Sequence, residues 1–207
     1  MYDQEFNRQL TNLIIKGYPG FCGLSESEFR KQLEPLRENI TITPENDIVD
    51  SEGYAPFIIV VQNDKIDSYE TIQRVERNGK TGFSVMDSDD LRKFKPIDGI
   101  DLPNGMAYLA VDIDTGKETL NVTPDEALKT ITAHNRSPLT IEEGIALVTH
   151  FPDMVKKNNG FSLLASRCGD RRVSALWISG GKPKLGWCWA GNPHTWLGSA
   201  SCKYRLG

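Results

Sequence analysis

The spacing of apolar residues divides the chain into a helical start, a middle of isolated strands and capped helices, and a strand-rich end. Phe6, Leu10, Leu13 and Ile14 recur at helical intervals and predict a helix that Gly17 ends before Tyr18-Pro19-Gly20. Ser25 followed by Glu28 has the spacing of a capping box, and Phe29, Leu33 and Leu36 form the stripe of a second helix that Pro35 shortens or kinks. Residues 1–38 thus read as a helical pair, and residues 39–53 as polar loop. The run 56–61 is β-branched, apolar and short, the pattern of a central strand, and 107–112 repeats it ahead of a turn at Asp114-Thr115-Gly116. Between them the pattern over 65–98 is weak: residues 69–77 fit helix or strand, and Asn78-Gly79 marks a turn.

Two helices with clear start signals follow. Thr123, Pro124 and Glu126 predict a capped helix reaching about His134. Thr140 and Glu143 repeat the device, and Ile145-Ala146-Leu147-Val148 makes that second helix apolar nearly all round, hence buried, until Phe151-Pro152 stops it. Strands at 161–166, 173–179 and 185–190, joined by turns at Cys168-Gly169-Asp170 and Gly180-Gly181-Lys182-Pro183, form an antiparallel meander. With no repeat or linker, the chain reads as one α+β domain over 1–207: a mixed sheet, a C-terminal meander packed against helices, and an N-terminal helical pair.

At 207 residues, with 39% hydrophobic positions and a net charge of −4, the composition is that of an ordinary soluble domain. The longest clean apolar run, 57–61, is too short to span a membrane. The first six residues lack the basic start and apolar segment of a signal peptide, and four cysteines are too few for a disulfide scaffold, so a cytoplasmic protein with free thiols is expected. The small total charge hides a split. Residues 1–149 carry −11, whereas residues 150–207 carry +7 together with all four tryptophans, three of the four cysteines and two of the three histidines. Such asymmetry marks an anion-binding surface, or a basic segment docked on the acidic remainder of its own fold.

The basic segment supplies the candidate chemistry. Alternation puts Trp187 and Trp189 on one strand face with Cys188 on the other, and Trp177 of the neighbouring strand could join the tryptophans. These rings are either core beneath the Ile145–Val148 stretch or a stacking platform for a flat or sugar-like ligand. Arg167, Asp170, Arg171 and Arg172 flank a glycine turn and suggest an anion clamp, because guanidinium forks match phosphate or carboxylate. The irregular stretch 191–196 contains His194 and Trp196, side chains that loops seldom carry without a function. His194 is the candidate general acid or base, with Asp170, Asp153 or Glu143 to orient it. His150 falls in the last turn of its helix, where a partly positive imidazole suits the helix dipole.

Metal sites are disfavoured. Cys168, Cys188, His194 and Cys202 have zinc-ligating atoms but no Cys-x-x-Cys knuckle, and Asp112 and Asp114 lack the glycine and glutamate of a calcium loop. No phosphate loop or dinucleotide fingerprint occurs.

At residues 137–144, 175–179 and 185–202 the sequence resembles a family of uncharacterised bacterial proteins defined only as a domain of unknown function, and the resemblance extends over nearly the full chain. It implies a bacterial, cytoplasmic, single-domain protein and supplies no activity, cofactor or catalytic residue. The expected function is therefore binding of a small anionic ligand, such as a nucleotide, phosphosugar or carboxylate, by Arg167, Asp170, Arg171, Arg172, Trp187, Trp189, His194 and Trp196. A protein-interaction or immunity-like module with an exposed aromatic and basic patch is the alternative. Single-stranded nucleic acid ranks third, opposed by the overall acidity.

Overall fold

The computed structural model describes residues 2–41, 53–62 and 66–207. Helices α1 (Tyr2–Ile15), α2 (Tyr18–Cys22) and α3 (Glu26–Leu33) open the chain. Gly17, at φ 82°, turns the backbone between α1 and α2, a one-turn helix that the apolar pattern does not mark. The Ser25–Glu28 capping box is formed in both directions, at 2.8 and 3.3 Å. Pro35 lacks the N–H that would continue α3, and the chain tightens into a 3-10 turn over Glu34–Thr41. Most of the polar stretch 39–53 lies outside the described residues.

Next come β1 (Tyr54–Val61), α4 (Ser68–Thr71), β2 (Glu76–Arg77), β3 (Lys80–Thr81), β4 (Phe83–Ser84), α5 (Ser88–Leu91), β5 (Lys95–Pro96) and β6 (Ala107–Asp114). Asn78 and Gly79, both at positive φ, make the two-residue turn between β2 and β3 that their sequence favours. Helix α6 (Pro124–Ala133), β7 (Ser137–Pro138) and α7 (Ile141–His150) precede the meander β8 (Gly160–Arg167), β9 (Arg172–Ser179) and β10 (Lys182–Trp189). Strands β11 (Leu197–Ser199), β12 (Ser201–Cys202) and β13 (Tyr204–Leu206) end it. Thr123 caps α6 as expected, but the Glu126 carboxylate bonds Lys129 at 2.7 Å instead of closing a box.

The strands form two main sheets. In the first, β6 is central, paired antiparallel with β1 on one side and with β12 and β13 on the other, while β7 extends from β12. The second is mixed: β8, β9 and β10 run antiparallel, and β11 and β4 add parallel edges. The fold is thus α+β with mixed sheet pairing. Contrary to the sequence expectation, β1 is an edge strand by pairing. Its apolar run reflects burial on both faces, by the N-terminal helices on one side and α7 on the other.

Helix α7 lies between the two sheets, with nine of its ten residues buried. Ile145, Leu147 and Val148 share a core with Ile58, Val60 and Ala110 of the first sheet and with Phe161, Leu163, Leu176 and Leu185 of the second. Each buried Ile, Val, Leu or Phe side chain in this layer contributes about 1.5–3 kcal/mol by leaving water. Helix α6 covers the opposite face of the second sheet through Ala127 and Ile131, against Leu164, Val173, Ala175 and Cys188.

Candidate functional site

A cleft with apolar walls lies where the α4–β5 segment meets the N-terminus of α7. Two short helices form its rim, each started by an aspartate cap: Asp67 Oδ1 accepts from the Tyr69 amide at 2.8 Å, and Asp87 Oδ1 from the Asp90 amide at 2.8 Å. Arg92 ties them together, reaching Asp67 at 3.1 Å and Asp89 at 2.8 Å. The cleft between this rim and α7 holds about 440 Å³. Ile66, Leu91, Phe94, Leu102 and Tyr108 supply apolar wall, and Ser68, Lys95 and Glu142 supply polar groups. Beyond the Asp67–Arg92 pair a second, more polar groove of about 630 Å³ runs between Phe21, Tyr69, Arg74 and Ser88.

Beneath the cleft lies a buried polar network. Glu143 closes the capping box of α7 by accepting from the Thr140 amide at 2.8 Å. It also accepts from Tyr108 Oη at 2.9 Å and from two guanidinium nitrogens of Arg205 in β13. Arg205 is further held by Ser137 Oγ at 2.6 Å and the Pro138 carbonyl at 2.9 Å. Burial, reinforced by the Glu143 charge, raises the Tyr108 phenol far above its ordinary value, so it stays a donor. Glu142, the neighbour of Glu143, is the one exposed residue of α7 and faces the cleft. Its carboxylate meets Ser68 Oγ at 3.4 Å and also accepts from the Thr140 side chain and from its own backbone N–H. It keeps an accessible surface, but the surrounding protein withdraws water from it, and this together with the Glu143 charge raises its pKa.

The residues expected to form the site divide between two faces of the second sheet. A two-residue turn at Gly180-Gly181 sets Trp177 opposite Lys184, Trp187 opposite Ser174 and Trp189 opposite Arg172. Directly opposed residues share a face, so Trp177 sides with Cys188 and not with Trp187 and Trp189. On the α6 face, Trp177 lies 5.9 Å from Trp196, and His194 lies 5.2 Å from Trp196 between ring centroids. Lys184 Nζ sits 4.8 Å above Trp177. Gly186 makes that packing possible, since a Cβ there would fall 2.4 Å from the Trp177 ring. On the other face Trp187 and Trp189 meet edge to face at 4.8 Å, and Trp189 is 45% exposed.

The arginines are largely engaged. Arg172 bonds Asp90 at 2.7 Å and Asp170 at 2.9 Å, and its guanidinium lies between the Phe94 and Trp187 rings, 5.7 and 5.9 Å from their centroids. It therefore buttresses Phe94, a wall of the cleft. Arg167 approaches Asp125 at 3.4 Å, while exposed Arg171 folds over Gly191. None of the carboxylates considered for His194 pairs with it: Asp170 holds Arg172, Asp153 holds Arg77 at 3.1 Å, and Glu143 holds Arg205.

His150 departs from its expected role. Its Nε2 donates to the Ile59 carbonyl at 3.0 Å, and Nδ1 faces the Asn12 amide at 3.4 Å. Burial, aided by the Arg8 and Lys16 charges, lowers its pKa to about 3, so the ring is neutral and carries no charge for the helix dipole. The three thiols considered for zinc occupy separate surroundings. Cys188 faces Ser162 at 3.7 Å, Cys168 faces Asp170 at 3.2 Å, and Cys202 is buried beneath Arg205 and Glu143, its thiol pushed up to about 12 mainly by desolvation. Asp112 pairs with Arg136 at 3.4 Å, and Asp114 accepts from the Gly116 amide at 2.7 Å. Among the described residues no group of three or more His, Cys, Asp or Glu side chains is placed to share a metal ion.

Sequence reasoning missed the cleft because its rim comes from residues 66–96, where periodicity is weak. The Asp67 and Asp87 caps were the available signal, each placed just before a short helical turn.

These features define an α+β protein with a buried central helix and a cleft of small-molecule size at that helix's N-terminus. The chain belongs to the family of unknown function DUF5701, whose model matches residues 12–207. Neither a curated protein nor a solved structure matches it. No helix among the described residues is long and apolar enough to cross a membrane.

Proposed function

We propose that the protein binds a small molecule in the cleft between the α5–β5 rim and the N-terminus of α7. The observation that carries this reading is the cleft itself: about 440 Å³, with apolar walls and a few polar groups, the usual make-up of a ligand site. The Arg167–Arg172 turn has a weaker claim, since Arg167 and Arg172 already have carboxylate partners. Four free thiols suit a reducing cytoplasm as the working compartment. A metabolite panel followed by thermal shift tests the proposal. A ligand present at a hundred times its Kd stabilises the fold by about 2.7 kcal/mol. Leu102→Trp, which fills the cleft from a half-buried loop position, should abolish the shift. Absence of any binder, or binding indifferent to Leu102→Trp, would refute the assignment.

One observation favours a second reading, a surface that docks a protein partner: Trp189 stands exposed beside Trp187. Loss of a stoichiometric partner on Trp189→Ala, in a chain of unchanged stability, would support it.

A further inference from the structure

Resting on the cleft reading, we propose that the ligand is an organic cation, an alkylammonium whose charged head sits on Glu142 and whose hydrocarbon body lies against Ile66, Leu102 and Phe94. The lining contains two carboxylates and two cations, but they are not equivalent. Asp67 and Arg92 are paired with each other at 3.1 Å, and Arg92 is shared further with Asp89. Lys95 extends from β5, exposed, and forms no ion pair among the described residues. The contacts of the Glu142 carboxylate are neutral, namely Ser68 Oγ at 3.4 Å, the Thr140 side chain and its own backbone N–H, and no cation lies within ion-pair distance among the described residues.

The neighbouring positive end of α7 offers an anion little. Its capping box is already complete, with Thr140 and Glu143 satisfying each other's backbone groups, and Glu143 and Glu142 place two carboxylates in the first turn. A ligand carboxylate or phosphate would meet these charges, whereas an ammonium would relieve them. Arg205 already serves Glu143 from below, so the unmet demand for positive charge falls on Glu142. Aromatic Phe94 and Tyr108 border the same space and favour a cation over a neutral group of equal size. The raised pKa of Glu142 agrees with this arrangement, because an incoming cation restores the stabilisation that withdrawn water no longer gives the carboxylate.

The test uses the full chain and three matched probe series: n-butylamine, n-hexylamine and benzylamine, the corresponding alcohols, and carboxylates of equal chain length. Binding is read from amide chemical-shift changes at residues 66–68, 102 and 141–143. The amines should shift these amides at neutral pH with at least tenfold higher affinity than the alcohols, and Glu142→Gln should remove that difference. The wild-type comparison of amine with alcohol needs no variant, so it stands even if Glu142→Gln unfolds the chain. Equal binding of amines and alcohols, or preferential binding of carboxylates, would overturn the cation assignment while leaving the cleft as a binding site. If no probe perturbs the cleft but a panel metabolite blocked by Leu102→Trp does, the cation assignment also falls and the cleft reading survives. If nothing binds, both fall.

Discussion

Gln9 acts on Ile59 as a missing strand would. Its side-chain Oε1 accepts from the Ile59 amide at 2.8 Å, and its Nε2 donates to the Phe57 carbonyl at 3.0 Å, along the open edge of β1. The amide is fully buried. His150 continues the cover one group further by donating to the Ile59 carbonyl. An apolar strand with an exposed edge invites pairing with another chain, and this side-chain imitation of a peptide closes it.

Replacing Gln9 with Leu keeps the volume but orphans one buried N–H and one buried C=O. At about 1–3 kcal/mol for each unsatisfied group, Gln9→Leu should cost roughly 2–6 kcal/mol. Urea unfolding would measure this, and a loss below about 0.5 kcal/mol would show that the edge is covered in some other way.

His150 gives stability a distinct dependence on pH. Its folded-state pKa of about 3 lies below the ordinary 6.5, so between these values the unfolded chain takes up a proton that the folded chain refuses. The stabilisation is complete above pH 6.5 and declines as pH falls toward 3, at up to about 1.4 kcal/mol per pH unit. Between pH 6.5 and 5, above the range where most carboxylates titrate, His150→Gln should flatten the curve relative to wild type. Parallel curves over that interval would contradict the buried neutral ring.

The secondary structure was largely legible from sequence because its signals are local: the Ser25–Glu28 and Thr140–Glu143 boxes, the Asn78-Gly79 turn and the all-round apolarity of α7 each report on a few adjacent residues. What long-range pairing decides was not. The edge position of β1 depends on a glutamine about fifty positions away. The separation of Trp177 from Trp187 was within reach, since any turn with an even number of residues between β9 and β10 gives opposed residues opposite parity, and parity alone divides the tryptophans. The +7 segment pointed to arginines whose carboxylate partners, Asp90 and Asp125, lie far away in the acidic part of the chain. The positive charge there is in part the internal counterpart of the acidic remainder.

The Glu143–Arg205 pair should behave as buried ion pairs do when one partner is removed. Glu143 is inaccessible and the Arg205 side chain only 6% exposed, so Arg205→Met would leave a carboxylate with a phenol and a backbone amide but no positive charge. A loss of about 3–5 kcal/mol is expected. Glu143→Gln combined with Arg205→Met should recover part of that loss, because the amide keeps the packing without the charge. A double variant less stable than Arg205→Met alone would mean that Glu143 serves mainly through its capping bonds.

Arg172 links the sheet that carries the tryptophans to the wall of the cleft. It anchors α5 through Asp90, and its hydrogen bond holds the Asp90 carboxyl below its ordinary pKa. Because α5 and the following Phe94 have no long strand partner, the bond to Asp90 should set how often this rim opens. Arg172→Gln is expected to speed amide exchange over residues 88–95 by roughly tenfold, about 1.4 kcal/mol in local opening free energy, while β9 and β10 core amides keep their protection. The Asp90 carboxyl should titrate at a higher pH in the variant, as followed by carbon NMR of its side chain. If exchange rises equally across β9 and β10, Arg172 supports the sheet as a whole; if residues 88–95 are unaffected, the aspartate cap at Asp87 is sufficient to hold the rim.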